Sequence, residues 1–487
     1  MVNLWQHYDP GHFHDELMVD GHQPRTFSYR LLDHLRSMKN EAFRQRVAES
    51  EIEILERGIT FTIYSDAGNI DRAWPFDIIP RVLSKQEWDC TEKGLVQRIR
   101  ALNRFIDDIY NEQHIIRDGV IPAETVFKSK GYRPECQGMK PAYGVWAHIC
   151  GSDLVRDDTG TLYVLEDNLR VPSGVAYMLE NRKTTKRVLP ELFKRLNISP
   201  VNDYPAQLAS MLRSLRPDLA NPTMALLTPG IFNSAYFEHA ALAQQAGLIL
   251  LEGADLIVGQ DGFVYMKTIH GLERVDVIYR RIDDDFIDPQ VFRADSTLGI
   301  PGIMQAWRDG KVAIANAPGC GVADDKVIYA YVPDMIRYYL NEPPILPNVP
   351  TWLCSNASDL EHVLANLPEL VVKPANESGG YGMLVGPHSS ADKIAEFRQL
   401  IVDNPTNYIA QPTLKLSVSP TFCGDKVAPR HVDLRPFILS GKNHYVTPGG
   451  LTRVALVEGS LVVNSSQGGG SKDTWIIDDS PISGGHD

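Results

Sequence analysis

The period of the hydrophobic pattern changes along the chain, and each change marks an element. Residues 29–57 are rich in helix formers, with Leu32, Leu35, Met38 and Val47 spaced for one face and Gly58 as a stop, which predicts one long helix or two. Residues 59–64 alternate strictly, as a half-buried strand does, before the turn-forming SDAGN and then WPFDIIPR, which is either structural or lines a site. Leu95, Ile99, Leu102, Ile106 and Ile109 return to three-four spacing, the mark of an amphipathic core helix. From near Asn221 the chain reads strand (MALLTP), helix (236–246), a Gly247 stop, strand (LILLEG), a hairpin across Gly262 and the strand DVIYRRID. A third region opens near Asn316 and passes a proline-rich joint at 343–350. The fold class predicted is α/β (α+β).

Composition narrows the function classes. The 487 residues are 43% hydrophobic and 22% charged, an ordinary globular balance with room for two or three domains. A net charge of -13 opposes nonspecific attraction to nucleic acid or to an anionic membrane, so neither is an expected partner. Six scattered cysteines without a CxxC pair fit reduced thiols. The N-terminus has no basic region followed by an apolar one, and no apolar run reaches the roughly 18 residues of a membrane span, so a cytoplasmic location is expected. His7, Asp9, His12, His14, Asp15 and Glu16 match no familiar ligand spacing and read as a polar arm on the surface.

The chemistry centres on VLEDNLRVPSGVAY, residues 164–177. On a strand, Glu166 and Asn168 face one side while Asp167 faces the other. One charged and one neutral oxygen ligand suit Mg²⁺ that carries phosphates. Asp153 lies thirteen positions before Glu166, and the turn-rich RDDTGT between them suggests a hairpin that would bring the three together. The alternative is a polar strand end beside an unrelated loop. The segment 177–196 reads as a basic helix, a solvated face or a surface that receives an acidic substrate. Arg280, Arg281 and Asp283 to Asp285 gather at a strand end, either for a ligand or as an exposed turn.

Farther on, LVVKPANESGGYGMLVG (370–386) places Lys373 on an apolar strand before a glycine-rich hairpin. Ser378, Gly379, Gly380 and Gly382 form a loop that lets backbone N–H groups cradle phosphate oxygens while Lys373 supplies counter-charge. There is no GxxxxGK[ST], no good dinucleotide fingerprint, and no HRD or DFG downstream. YIAQP (408–412) resembles a hinge against an adenine edge, with Gln411 adding an amide. Arg435 in VDLRPFIL and Arg453 in TPGGLTRVAL carry planar forks suited to phosphoryl or carboxylate groups, or else make surface ion pairs. NSSQGGGS (464–471) reads as a lid or a linker.

A strand lysine, a glycine-rich hairpin, a hinge strand and a separate Asp plus Glu-x-Asn together resemble the ATP-grasp set of parts, in permuted order. EDNLRVPSGVAYMLENR, GVADDKVIYAYVPDMIRYYL and VVKPANESGGYG resemble the type 2 circularly permuted ATP-grasp family over most of the chain, and more distantly the synthetase domain of glutathionylspermidine synthetase. The resemblance implies a circularly permuted ATP-grasp fold with an additional α/β pre-ATP-grasp-like domain. It divides the chain into an N-terminal segment (1–90), a metal-binding half (91–218), the α/β domain (219–345), a nucleotide-binding half (346–478) and a tail (479–487). It implies Asp153, Glu166 and Asn168 as Mg²⁺ ligands, Lys326 and Lys373 on the nucleotide phosphates, Gln411 at the adenine hinge and Arg453 on the transferring phosphate. The cofactors implied are ATP and Mg²⁺, and the reaction is joining of a small-molecule or peptide carboxylate to an amine. A phosphotransferase, or a catalytically weak nucleotide-binding partner in a peptide-modifying system, are the alternatives. One position departs: Gly151 stands where the synthetase has an arginine, with Arg156 or Arg170 as candidates to fill the place.

Overall fold

The structure is a computed structural model that describes residues 4–63, 70–375, 382–460, 463 and 469–478. Its main body is a nine-stranded sheet built from both ends of the chain. Across it run His444–Val446, Phe437–Ser440, Ile149–Arg156, Val427–Arg435, Leu451–Val454, Gly470–Ile477 and Phe76–Ser84. Leu162–Asn168 pairs with Ile149–Arg156, and Val418–Phe422 with Val427–Arg435. Strands separated by almost 400 residues thus lie side by side: Gly470–Ile477 runs parallel to Phe76–Ser84. WPFDIIPR therefore supplies a buried core strand.

The long helix Lys85–Tyr110 starts at Ser84, whose side chain accepts from the Glu87 N–H, and buries Leu95, Ile99, Leu102, Ile106 and Ile109 as their spacing requires. Its Arg98 reaches the back of Leu162–Asn168 and pairs with Asp167 at 2.7 Å. The 29–57 segment forms two helices, Tyr29–Ser37 and Asn40–Glu56, broken where Met38 and Lys39 are extended.

A second, parallel sheet takes Ala313–Ala315, Val277–Arg280, Met224–Leu227 and Ile249–Leu251, in that order, with the helix Tyr236–Ala246 ending at the left-handed Gly247. A three-stranded meander, Leu256–Val258, Val264–Thr268 and Gly271–Val275, is attached to it in sequence. A small antiparallel sheet, Trp352–Leu353, Tyr408–Pro412, Leu370–Pro374 and Leu384–Val385, has its own core around Val363, Val372, Phe397 and Ala410. The proline-rich joint ties this sheet to the large one: Val164 N–H donates to Pro347 O at 2.9 Å, and Val349 N–H returns to Val164 O at 3.1 Å. No helix among the described residues is long and apolar enough to cross a membrane.

The N-terminal arm is not laid over the surface. Leu17 and Met18 are fully buried, and the Glu16 carboxylate accepts from Arg81, Arg156 and Ser417 inside the fold. Asp15 is equally buried and accepts from Tyr8. Among the described residues, no group of three or more His, Cys, Asp or Glu side chains could hold a metal, the arm included.

Candidate active site

Strand pairing assembles one polar face. Ile149–Arg156 and Leu162–Asn168 form the expected hairpin, with Asp153 directly opposite Glu166 and Gly151 opposite Asn168. A bulge between Asp153 and Leu154 in that ladder adds twist where the carboxylates stand. Asp167 alternates to the other side, between Arg98 and Ser152. On the far edge of Ile149–Arg156, Leu434 lies opposite Leu154 and Phe437 opposite Gly151, which sets Arg435 across from Asp153. Two positions before Arg435 on the same strand, Asp433 is paired with Arg453 of the next strand. Glu166, Asp153 and Arg435 therefore make one row across three strands, with Asp433 and Arg453 beside it.

Asp153 is the most tightly held member. Its side chain is 1% exposed and takes Arg435 Nε at 2.5 Å, Arg435 Nη2 at 2.7 Å and Arg453 Nη2 at 2.6 Å. Burial alone would push its carboxyl up; Arg435 and then Arg453 outweigh that and hold it well below the usual carboxylate range. Arg453 also grips Asp433 through Nε at 2.9 Å. Glu166 keeps 35% of its side chain exposed, with Arg435 Nη2 3.9 Å away. Burial and then the facing Asp153 charge raise its carboxyl above the ordinary value.

The two lysines converge on this face from other parts of the chain. Lys326 opens the short helix Lys326–Ala330, which Asp325 caps and whose Tyr329 hydroxyl donates to Val164 O at 2.6 Å. Just before it, Asp324 accepts the N–H groups of Leu169 and Arg170, hooking that segment onto the end of Leu162–Asn168. Lys373, half-buried on Leu370–Pro374, donates to Gln411 Oε1 at 2.7 Å, and Gln411 Nε2 donates to Thr351 Oγ1 at 3.0 Å. The Gln411 amide is thus spent on positioning Lys373 and Thr351. Burial lowers the Lys373 ammonium to about 8; Glu166 opposes that fall and Lys326 adds to it. Both segments act on one charge.

Between them lies a cleft of about 500 Å³ lined by Glu166, Asn168, Arg170, Lys326, Arg435 and Arg453 among others. Its far wall is the turn at Pro172 to Gly174, fixed from three sides. Arg281 donates to Pro172 O, Arg435 to Ser173 O, and Glu238 accepts the N–H groups of Gly174 and Ala176. Gly174 has φ +120°, and a Cβ there would lie 2.9 Å from Leu451, so glycine is required. Trp74, stacked on Tyr177 with centroids 4.0 Å apart, closes that end.

Several expected features fall elsewhere. On the basic helix, Val175–Val188, Arg182 is buried on Asp473, while Lys183, Lys186 and Arg187 are exposed, Lys183 beside Glu180 and Arg187 beside Glu53, a solvated face that does not line the cleft. Arg280 and Arg281 are buried ties to Asp284 and Glu238, whereas Asp283 and Asp285 stay partly exposed and Asp285 lines the cleft. Arg156 is held by Glu16 and Glu87, away from the vacancy at Gly151; Arg170 stays with Asp283 and Asp324. The space is taken by Arg435: a Cβ on Gly151 would lie 3.2 Å from its Cδ and 3.3 Å from its Cγ. Gly382 is exposed beside Leu384–Val385, whereas Ser378, Gly379 and Gly380, and residues 464–468 of the second glycine-rich loop, lie outside the described residues. Asp433, Asp324 and Glu238 were not singled out from sequence, the local signals being the acidic doublet before Lys326 and the D-x-R spacing before Pro436; Trp74 opens WPFDIIPR and lines the cleft, one of the two readings of that stretch.

Two carboxylates and an amide oxygen on one face suit a hard cation, and the close approach of Asp153 to Glu166 is a like-charge contact that a cation would relieve. Glu166 and Asn168 are the better placed pair, since Asp153 is already gripped by two guanidinium groups.

Residues 80–455 match the family described as circularly permuted ATP-grasp type 2. The chain belongs to that family. An uncharacterised protein of Synechocystis sp. is 56% identical over 97% of this chain and 98% of its own length. A Frankia casuarinae protein provisionally named glutamate–cysteine ligase 2-2 is 44% identical over 89% of this chain; the match spans only 50% of that protein. The structure of a glutathione synthetase-like effector from Globodera pallida, solved in the apo form, superimposes with a TM-score of 0.60 at 12% identity, covering 90% of this chain and 98% of that one. At that identity the likeness speaks for the fold, an α/β ATP-grasp architecture in circularly permuted order.

Proposed function

We propose that this protein is an ATP-dependent carboxylate–amine ligase that forms an amide or peptide bond through an acyl phosphate and releases ADP and phosphate. The observation that carries this reading is that Lys326 lines the same cleft as Glu166 and Asn168, with Asp153 opposite Glu166 on the next strand and Lys373 near enough to feel the charges of Glu166, Asp153 and Lys326. The ligase and synthetase names of the Frankia protein and the Globodera effector support the same reaction class.

In the first step a carboxylate oxygen of the substrate attacks the γ-phosphorus of ATP, and the bond to the bridging oxygen breaks to leave ADP. In the second an amine nitrogen attacks the acyl carbon, phosphate departs with the C–O electron pair, and the nitrogen loses a proton. The side chains position and neutralise, and none serves as nucleophile. Lys326 and Lys373 hold phosphate oxygens, with Ser378, Gly379, Gly380 and Gly382 as the proposed backbone cradle. Gln411, on the interior strand Tyr408–Pro412, keeps Lys373 aimed. Arg435 and Arg453 supply positive charge beside the reacting groups. Mg²⁺ held by Glu166, Asn168 and Asp153 would draw charge off the phosphate oxygens.

The test is a panel of small-molecule and peptide carboxylates with amines, assayed for joint release of ADP and phosphate. Equal amounts of both, dependent on both substrates, are expected; AMP and pyrophosphate would overturn the reading. ADP with a stable phosphorylated product would mark a phosphotransferase instead, and ATP binding without turnover a nucleotide-binding partner.

A further inference from the structure

The polar face carries an imbalance. Asp153, Asp433 and Glu166 stand against two guanidinium groups, yet the charge is unevenly shared. Asp153 has three N–H donors on its two oxygens and is 1% exposed, while Glu166 has Arg435 at 3.9 Å and the charge of Lys373 and is 35% exposed. Asp153 Oδ2 already accepts two N–H donors and Oδ1 one, so a divalent cation bridging the two carboxylates competes with a guanidinium for Asp153. The two guanidinium groups are not equally replaceable. Arg453 is anchored a second time on Asp433 and sits deep in the sheet. Arg435 has Asp153 as its main partner, with one long bond of 3.3 Å to Ser173 O, and its side chain is 13% exposed to the cleft. It also lies across Gly151, which stands two positions before Asp153 on the same strand and has no side chain to occupy that space.

We propose that Arg435 is a tethered counter-ion that keeps Asp153 closed to free cations until a cation arriving with nucleotide phosphates displaces it, and that the missing side chain at Gly151 gives it the room to do so. This rests on the ligase reading for the identity of the site. Its physical content is competition: a hydrated divalent ion alone gains too little from Glu166 and Asn168 to unseat a bidentate arginine, whereas phosphate oxygens bring further ligands to the ion and a second anion for the guanidinium. Metal binding is thereby made conditional on nucleotide.

Two variants unseat Arg435 by different routes. Arg435→Gln removes its charge, and Gly151→Val fills its seat. Mn²⁺ titration followed by electron paramagnetic resonance, without nucleotide, reads the effect directly, with circular dichroism confirming the fold of each variant. Both variants should bind Mn²⁺ roughly tenfold more tightly than the unaltered protein, as expected for loss of one competing charge. Adding Glu166→Gln to Arg435→Gln should remove the gain. Unchanged or weaker Mn²⁺ binding in both variants, or a gain that survives Glu166→Gln, would overturn the proposal. Calorimetry of ADP with Mg²⁺ on the unaltered protein keeps the two readings apart: absence of binding there would overturn the ligase reading, while the Mn²⁺ comparison decides the role of Arg435 by itself.

Discussion

Asp153 and Glu166 face each other in register, yet the surroundings give them different work. Removing Asp153 leaves Arg435 and Arg453 without their shared partner, the second of them buried. Asp153→Ala is therefore expected to cost about 3–5 kcal/mol, read as a lower urea midpoint, together with loss of turnover. Glu166 is one-third exposed and repelled by Asp153, so Glu166→Ala should change stability by about 1 kcal/mol or less while abolishing Mg²⁺-dependent ADP release. An unchanged rate would move the metal elsewhere. Lys373 supplies a pH test. Its ammonium faces Glu166, Asp153 and Lys326 and is lowered by burial to about 8 from 10.5, so it is charged below that value and neutral above it. ADP affinity should fall as pH rises through about 8, and Lys373→Arg should flatten that step. Between about 8 and 10.5 the unfolded chain holds the proton that the folded one has released, so this group's effect on stability is to raise it with pH. At this scale the sequence was informative where spacing alone decides. Glu166 and Asn168 share a face because strand parity is fixed by two residues. Asp433 was not legible, because its partnership with Arg453 depends on a register between strands twenty residues apart.

The hairpin of Ile149–Arg156 with Leu162–Asn168 was readable from its turn residues, and the core helix Lys85–Tyr110 from its three-four period. Both signals are local. The N-terminal arm was misjudged because its charges are satisfied from afar: Glu16 meets Arg81, Arg156 and Ser417, which lie 65, 140 and 401 positions away. The same holds for the basic helix, whose Arg182 finds Asp473 only when Gly470–Ile477 pairs beside Phe76–Ser84. Burial works against the Glu16 charge, but Arg156 and Arg81 outweigh it and lower its carboxyl to about 2 from 4.5. The arm's contribution is thus complete above about pH 4.5 and lost as pH falls toward 2. Acid titration of the unfolding free energy should show that loss, and Glu16→Gln should shrink it while destabilising the protein by about 3–5 kcal/mol at neutral pH, because Arg81 and Arg156 stay buried.

Across the whole molecule, the cleft joins parts no local pattern could place together. The large sheet supplies the carboxylates and arginines, the small sheet holds Lys373 within reach of the Glu166 and Asp153 charges, and the parallel-sheet unit holds the opposite wall through Glu238 and Arg281. The permuted order was legible only from motifs, Lys326 and Lys373 following the acidic segment by well over a hundred residues. A ligand that bridges these parts should stabilise all of them at once. ADP with Mg²⁺ at 100 times its dissociation constant is expected to add about 2.7 kcal/mol, seen as a raised melting temperature that Glu166→Ala lowers. The most direct measurement is a crystal structure of the protein with ADP and Mg²⁺. The expected result is Mg²⁺ on Glu166 and Asn168 at about 2.0–2.1 Å, with the phosphates between it and Lys326 and Lys373; nucleotide bound outside this cleft, or metal remote from Glu166, would contradict the account.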